Sequence, residues 1–502
     1  MAKVCGWAIL LITCSSKPSA VPAAFTETTD SLAMYPDYRD VTIPPNIAPL
    51  NFQLTDSSAT EFVVAFESEA APKAGFSCGA CEDGKIDIDL PLWRQLLHDA
   101  RGQSITVCVY AHRPAGWVRY QPFTMRVAEE EIDPYLTYRL IEPGYEYYSQ
   151  LGIYQRNLTN FDVKTVYEND RTFSSDNCHC INCHNFQAND TERMILHVRE
   201  NHKGTIVTHG SDAYQMIIKH DSILASGAYA CWHPTLPLVA FSSNKTAQVF
   251  HMHYNEKIEV YDAASDLILF DADNNEVRTI LRTSDHFETF PCWSADGTRL
   301  YYCTARLPKM PTENFEANLV LRYDSLLYDI YSMPFDTVTY TFGEPRREIN
   351  ASAQHKSCSV PRVSPDGRYL VFAYASYGQF HLYHKDSDLW CKDLQEGNLY
   401  PLTESNSNDV ESYHSWSSNS RWQVFSSRRD DGDYTRTYIA YFDAQGQGHR
   451  AFLLPQRDPE YNLLLLKSYN CPELTKNAVQ VSTEQIRHLI YNTEAELATY
   501  KE

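Results

Sequence analysis

The sequence predicts an all-β protein, in which a β-propeller of about six blades follows a small β-sandwich-like domain. Four stretches share one template: an aromatic or apolar residue, then Ser or His, then a turn and an alternating strand. These stretches begin at Trp232, Trp293, Val363 and Trp416. The chain before them holds short alternating strands bounded by turn residues, which is typical of a sandwich.

The first segment, residues 1–24, has the pattern of an export signal. A short apolar run follows Lys3, and it is too short to span a bilayer. The run from Leu11 to Cys14 is similar to a bacterial lipobox, which makes Cys14 the candidate lipidation site. Cleavage near residues 20–24 without lipidation and a buried N-terminal strand are the alternatives.

Residues 25–45, rich in Thr, Pro and Asp, are interpreted as a tether, and residues 46–128 as the β-sandwich-like domain. Within this domain the apolar pattern predicts one short amphipathic helix over 92–100. Period-two or continuous apolar runs predict strands at 62–66, 86–90, 105–110 and 123–127.

Residues 129–190 are rich in tyrosine and are interpreted as a connector that packs on the next domain through aromatic area. A wall facing a haem group is the alternative interpretation. The connector carries the most informative motif of the chain.

That motif is Cys180-Ile181-Asn182-Cys183-His184, which matches the C-x-x-C-H pattern of covalent haem c attachment. The thiols of Cys180 and Cys183 would add across the two vinyl groups of one porphyrin. His184 would then be the proximal axial ligand of the iron.

Two other interpretations of this stretch stay open. Zinc also takes Cys and His ligands, and Cys178 and His179 precede the motif directly. A second half of such a site is offered only by Cys78 and Cys81, which are equally compatible with a disulfide or a surface turn. Disulfides without any metal are the third interpretation.

A second axial ligand of the haem iron would have to come from elsewhere in the chain. His251 and His197 are the distal candidates, although a lone histidine is more often a surface or hydrogen-bonded residue. Cys231, Cys292 and Cys358 lie close to the repeat anchors and are interpreted as small core-filling residues.

The propeller is expected over residues 191–465. The turn Ser364-Pro365-Asp366-Gly367 and the strand after it resemble the repeats of the TolB-type propeller family. A tail over 466–502 is expected to be helical, with its helix over 484–500 packed outside.

The whole arrangement resembles a family of exported proteins from Bacteroidetes-type bacteria, in which an export signal, a β-domain, a haem motif and a TolB-like propeller follow one another. Cys180, Cys183, His184 and Phe186 match the family's Cys-x-x-Cys-His-x-Phe segment. Some members are labelled cytochrome c biosynthesis proteins. The resemblance implies a haem acceptor, located in the periplasm or cell envelope and lipid-anchored to the outer membrane.

Composition limits the partners of the protein. With 64 acidic and 43 basic residues the net charge is −21, and no Lys/Arg cluster is present, so nucleic acid is excluded as a partner. Fourteen cysteines favour an oxidising compartment. Membrane association is expected through the lipid anchor only, because no later apolar run reaches 18 residues.

These observations lead to three functional hypotheses. The first is an exported monohaem electron-transfer protein that works with a protein redox partner or a surface complex. The second is a non-enzymatic protein- or glycan-binding propeller whose Cys/His cluster is structural. A haem enzyme such as a peroxidase is the third; since serine-hydrolase, zinc-protease and nucleotide-binding motifs are absent from the sequence, a non-enzymatic role is favoured.

Overall fold

The computed structural model describes residues 19–81, 83–142, 151–169, 179–251, 258–309 and 313–502, without the side chain of Cys183. Cys14 and Cys178 lie outside the described residues. The chain divides into two compact units. The smaller unit extends to Glu129 and includes Pro455–Leu464, and the larger comprises Glu130–Leu454 and Leu465–Glu502.

The smaller unit contains a seven-stranded sheet and a three-stranded sheet. The strands of the first are β1 (Thr26–Glu27), β3 (Val41–Ile43), β5 (Glu61–Glu67), β6 (Phe76–Gly79), β8 (Ser104–Arg113), β9 (Gly116–Arg119) and β10 (Phe123–Val127). Those of the second are β2 (Ala33–Tyr35), β4 (Phe52–Thr55) and β7 (Lys85–Ile86). The expected tether at 25–45 therefore contributes three strands, since its Val41 and Ile43 are fully buried and β3 pairs with β10.

Helix α1 (Leu90–Asp99) interrupts what the sequence suggests is a strand over 86–90. The Asp89 carboxylate accepts a hydrogen bond from Leu92 N at 3.0 Å and caps the helix, so β7 ends at Ile86. Trp93 points into the core and donates from Nε1 to the carbonyl of Ile47 at 3.1 Å. The predicted helix and the other three predicted strands are confirmed.

The larger unit contains six sheets. Three of them are formed by β11 (Tyr135–Ile141), β12 (Gly152–Asn157), β13 (Val163–Glu168) and β35 (Ser468–Thr475); by β14 (His179–Gln187), β15 (Asp190–Glu200), β16 (Gly204–His209), β17 (Asp212–Ile217) and β36 (Glu496–Leu497); and by β18 (Gly227–Trp232), β19 (Leu238–Phe250), β20 (Ile258–Asp271), β21 (Glu276–Leu281) and β37 (Thr499–Tyr500). In each sheet the main strands run antiparallel to their neighbours.

The other three sheets follow in chain order. They are formed by β22 (His286–Trp293), β23 (Arg299–Arg306), β24 (Tyr328–Asp336), β25 (Thr341–Phe342) and β26 (Arg346–Ile349); by β27 (Ser357–Val363), β28 (Tyr369–Ala375), β29 (Asp388–Asp393) and β30 (Leu399–Pro401); and by β31 (Glu411–Trp416), β32 (Trp422–Ser427), β33 (Arg436–Tyr441) and β34 (Phe452–Leu453). The helices in the described residues besides α1 are α2 (Phe315–Val320), α3 (Tyr461–Leu464), α4 (Thr483–Asn492) and three single 3₁₀ turns.

One strand of each sheet belongs to a closed ring. β14, β18, β22, β27, β31 and β35 contact one another in that order, and β35 contacts β14 again. We call them the inner strands. The ring closes because β35, near the end of the chain, pairs with β11 at the start of the larger unit and contacts β14, so the larger unit is a β-propeller.

Two expectations about segments are corrected by this arrangement. The Tyr-rich connector supplies the paired strands β11–β13, and Leu136, Tyr138, Leu140 and Ile141 of β11 are buried. The tail is only partly helical: α4 ends at Asn492, and β36 and β37 pair in parallel with β17 and β21.

Candidate functional site

Each inner strand bulges at the same place along its length. The pairing register shifts at Asn182/His184, Ala228/Cys231, Thr289/Cys292, Ser359/Arg362, Ser412/Ser415 and, on the partner of β35, Thr137/Arg139. At five of these bulges a non-glycine residue has a φ of 48° to 50°: Tyr229, Phe290, Val360, Tyr413 and Cys471. For a β-branched residue such as Val360 this conformation is a true outlier. Bulges re-aim the side chains that follow them.

The residues just after the bulges line one cavity. They are Asn185, Cys231, Cys292, Arg362, Ser415 and Glu473, one from each inner strand, and we call them the channel ring. The cavity measures about 370 Å³ and receives residues from all six sheets. Because the inner strands form a closed ring, this cavity lies in the central channel of the propeller.

Tryptophan side chains hold neighbouring inner strands together beside the channel ring. Nε1 of Trp293 donates to the carbonyl of Cys231, and Nε1 of Trp416 donates to the carbonyl of Arg362, both at 3.2 Å. Ser415 Oγ donates to the carbonyl of Pro472 at 2.8 Å. The indoles also form part of the cavity lining, so the wall is aromatic as well as polar.

Two ionisable side chains of the ring have unusual surroundings. The half-buried Arg362 guanidinium donates from Nη1 to the carbonyl of Pro361 at 3.0 Å, and within the described part of the chain it forms no salt bridge. Burial raises the pKa of Glu473 to about 8. Its Oε1 accepts from Phe186 N at 3.0 Å and from Asn185 Nδ2 at 2.9 Å. At neutral pH the ring therefore contains a cation and a neutral carboxyl group.

The two cysteines of the ring lie on neighbouring inner strands. The Cys231 thiol donates to the carbonyl of Trp232 at 3.9 Å, and the Cys292 thiol donates to the carbonyl of Trp293 at 3.5 Å. The backbone N–H of Val363 donates to the sulfur of Cys292 at 3.4 Å. Cys292, at 4% exposure, and Cys358, at 0%, belong to the buried core as predicted, and Cys231 packs against it. Cys231 and Cys292 also line the cavity, which sequence reasoning did not foresee. The signal that was available is their shared position, one residue before Trp232 and Trp293.

The C-x-x-C-H motif lies on β14, the inner strand that precedes β18. Cys180 pairs with Arg199 and Asn182 with His197, whereas His184 pairs with Leu196 across the bulge. Paired residues share a face and successive residues alternate, so Cys180 and His184 lie on opposite faces of β14. Cys180 lines a second cavity of about 550 Å³, and His184 lines the first.

Covalent haem attachment needs both thiols and the imidazole at one porphyrin, which the opposite faces of Cys180 and His184 do not provide. His184 itself has features of a ligand: its side chain is 1 % exposed, neither ring nitrogen forms a hydrogen bond in the described structure, and Nε2 lies 3.9 Å from Glu473 Oε2. Burial lowers the pKa of His184 to about 3, so the imidazole is neutral. The described residues thus supply a candidate iron ligand, His184, but the Cys180 thiol lies on the other face of the strand. We therefore derive no haem chemistry from them.

The distal candidates lie at different sheets, His197 in β15 and His251 directly after β19. His197 pairs with Asn182 beside the motif, is buried, and its Nδ1 lies 3.1 Å from Thr205 Oγ1. His251 follows β19 and its ring contacts that of Tyr323. Among the described residues, no group of three or more His, Cys, Asp or Glu side chains is arranged to hold a metal ion. Cys81 is in a disulfide and Cys78 is a buried thiol, so this pair does not offer two thiolates.

Comparison with known proteins shows only distant similarities. No family model and no curated protein matches the chain. TolB from Acinetobacter baumannii matches with a TM-score of 0.42 and 12% identity over 77% of this chain and 85% of its own. A mutant of the Synechocystis apocarotenoid oxygenase matches with a TM-score of 0.37 and 11% identity over 89% and 97%. The propeller assignment rests on the closed ring of inner strands. Among the residues that the structure describes, we find no helix with the length and hydropathy of a membrane span.

Proposed function

We propose that this protein is a non-enzymatic binding propeller whose channel cavity takes a small organic anion. The six sheets are its six blades in this proposal. The observation that carries it is Arg362, a guanidinium that faces a cavity and forms no salt bridge among the described residues; the Glu473 carboxyl group and the Cys292 thiol lie near it. An anion that enters the cavity would be stabilised by this half-buried cation.

The other groups of the cavity suit an organic anion better than an inorganic one. Neutral Glu473 can donate a hydrogen bond to an anionic oxygen, which an ionised carboxylate cannot do. Trp232, Trp293 and Trp416 supply flat apolar walls for the body of the ligand. Lys476 adds a second positive charge to the lining, although it also pairs with Asp190 at 3.5 Å.

Thermal unfolding with benzoate, acetate and inorganic phosphate tests this proposal. We expect benzoate to raise the Tm most, since it combines a carboxylate with an aromatic ring, and Arg362→Gln to abolish the shift. The matched control is Arg306→Gln, which removes an exposed guanidinium of the same unit and should leave the shift unchanged. The proposal fails if none of the anions shifts the Tm, or if benzoate stabilises the Arg362→Gln variant as much as the parent.

Covalent haem c is the second candidate, favoured by the complete motif Cys180-x-x-Cys183-His184 and by the ring nitrogens of His184, which lack hydrogen-bond partners; it requires β14 to bring Cys180 and His184 to one face. It would make the protein an electron-transfer partner of another protein. Expression in a periplasm with haem-attachment machinery tests it. A reduced α-band that survives denaturation and is lost in Cys183→Ala would establish the haem, whereas a colourless protein would exclude it and lead to metal analysis for zinc.

Export, lipidation at Cys14 and location in the cell envelope are part of the same proposal, supported by the pattern of residues 1–24. Metabolic labelling with a radioactive fatty acid, with Cys14→Ser as control, tests the anchor. Label retained by the Cys14→Ser variant would contradict it.

A further inference from the structure

We propose that Cys231 and Cys292 form a reversible dithiol–disulfide pair in the channel cavity, which exchanges with small disulfide compounds that enter it. The anion-binding proposal does not require this pair, and the pair does not require an anion. The inference rests on where the two thiols lie, on which groups contact them and on how they differ from the other buried cysteines.

The two thiols occupy equivalent positions on adjacent inner strands. Each follows the bulge of its strand, β18 or β22, and these strands contact each other. The two thiols interact electrostatically, and both line the same cavity. Neither residue is in a disulfide in the structure. A disulfide between them requires side-chain rotation and a small strand shift that bring the two sulfurs to bonding distance.

The surroundings make the two thiols unequal. The neighbouring Cys231 thiol, the Arg362 guanidinium and a hydrogen bond from the backbone N–H of Val363 together lower the pKa of Cys292, although burial opposes them. The pKa of Cys231 is raised by the neighbouring Cys292 sulfur and by burial. Because the thiolate is the nucleophile in exchange, Cys292 is the attacking residue and Cys231 the resolving one.

The exchange balances with a small disulfide, R–S–S–R′, as the oxidant. The Cys292 thiolate attacks one sulfur, the S–S bond breaks, and R′S⁻ leaves. Cys231 then loses its proton and attacks the Cys292 sulfur of the mixed disulfide, which releases RS⁻; this anion takes up the proton. The two protein sulfurs are oxidised to one disulfide, and the small disulfide is reduced to two thiols by two electrons.

The other buried cysteines of the propeller provide an internal control. Cys303, Cys358 and Cys391 are 0% exposed, and burial raises the pKa of each, to about 12 for Cys391. None of them lines the channel cavity. They should stay reduced under conditions that oxidise the channel pair.

The experiment equilibrates the folded full chain with mixtures of oxidised and reduced dithiothreitol, quenches with acid, alkylates, and maps peptides by mass spectrometry. We expect a Cys231–Cys292 cross-linked peptide whose amount follows the dithiothreitol ratio, while Cys303 and Cys358 remain alkylatable in denaturant. At neutral pH, iodoacetamide should modify Cys292 faster than Cys303 by on the order of tenfold or more.

Single variants separate the two roles. With Cys231→Ser, incubation with 2-hydroxyethyl disulfide in place of dithiothreitol should leave a mixed disulfide on Cys292, because 2-mercaptoethanol carries a single thiol and no protein thiol resolves the adduct. With Cys292→Ser, no adduct should form on Cys231. The inference is overturned if the folded parent forms no Cys231–Cys292 link at any ratio, if the link appears only after unfolding in urea, or if Cys292 pairs with Cys471 instead. If benzoate does not shift the Tm of a protein that still forms the Cys231–Cys292 disulfide, only the anion-binding proposal is overturned.

Discussion

Replacing Glu473 by Gln should remove a large pH dependence from the stability of the propeller. Gln has the same shape and can still accept from Phe186 N and Asn185 Nδ2. Glu473 titrates near 4.5 when unfolded and has a folded pKa raised to about 8 by burial. The folded state therefore binds the proton more tightly, and stability falls as the pH rises from 4.5 towards 8.

The size of the effect follows from the shift. Each pKa unit corresponds to 1.36 kcal/mol, so the full loss above pH 8 is about 5 kcal/mol, and the part between pH 6 and pH 9 is about 3 kcal/mol. These are upper values, since 15% of the side chain remains exposed. The Gln variant should lack this loss and be the more stable protein at pH 9.

Urea unfolding of parent and variant at pH 6, 7, 8 and 9 measures the difference. Glu288→Gln is the parallel case, because burial also raises the pKa of Glu288 to about 8 and Thr283 Oγ1 donates to it at 2.5 Å. The Glu288→Gln variant should remove a similar pH dependence of the free energy of unfolding without changing the channel cavity. If the free energies of parent and Glu473→Gln change in parallel with pH, Glu473 is ionised in the folded protein and the reasoning is refuted.

Three further outcomes are expected. When the pH falls to 4, the free energy of unfolding of His414→Gln, measured with urea, should drop by about 3 kcal/mol less than that of the parent. The reason is that burial lowers the pKa of His414 to about 3, so the parent loses stability as the pH falls below 6.5, whereas the Gln amide can still donate to the carbonyl of Val371. An equal drop in parent and variant would contradict this. Trp293→Ala should lower the free energy of unfolding by about 3–5 kcal/mol, since the indole is 4% exposed, and a loss below about 1 kcal/mol would mean that the site collapses around it. Arg429→Met should cost about 3–5 kcal/mol in calorimetry, because it leaves the fully buried Glu411 carboxylate without its 2.9 Å partner; a neutral result would show that the pair gives no net stabilisation.

Local patterns sufficed for much of the fold. Each of the four repeat stretches begins at the last residue of an inner strand and continues through a turn into the next strand, as the pattern predicted. The pattern works because the turn is local: Ser294 Oγ, for example, donates to Asp296 Oδ1 at 2.6 Å. The strand expected over 86–90 is wrong beyond Ile86, because Asp89 caps the start of a helix. Two local signals, the alternating apolar pattern and the helix cap, compete there, and the cap prevails.

The candidate site could not be predicted from the sequence, because its residues come from six separate strands. Nothing local shows that Asn185, Cys231, Arg362 and Glu473 share one cavity. The propeller repeat, the haem-type motif and the acidic charge could be determined from the residues in order. Only the tertiary structure decided that β35 closes the ring, that bulges turn one side chain per strand into the channel, and that Cys180 and His184 face opposite ways. The physical reason is that a strand's side-chain alternation is local, whereas its bulge and its neighbours depend on contacts between residues hundreds of positions apart.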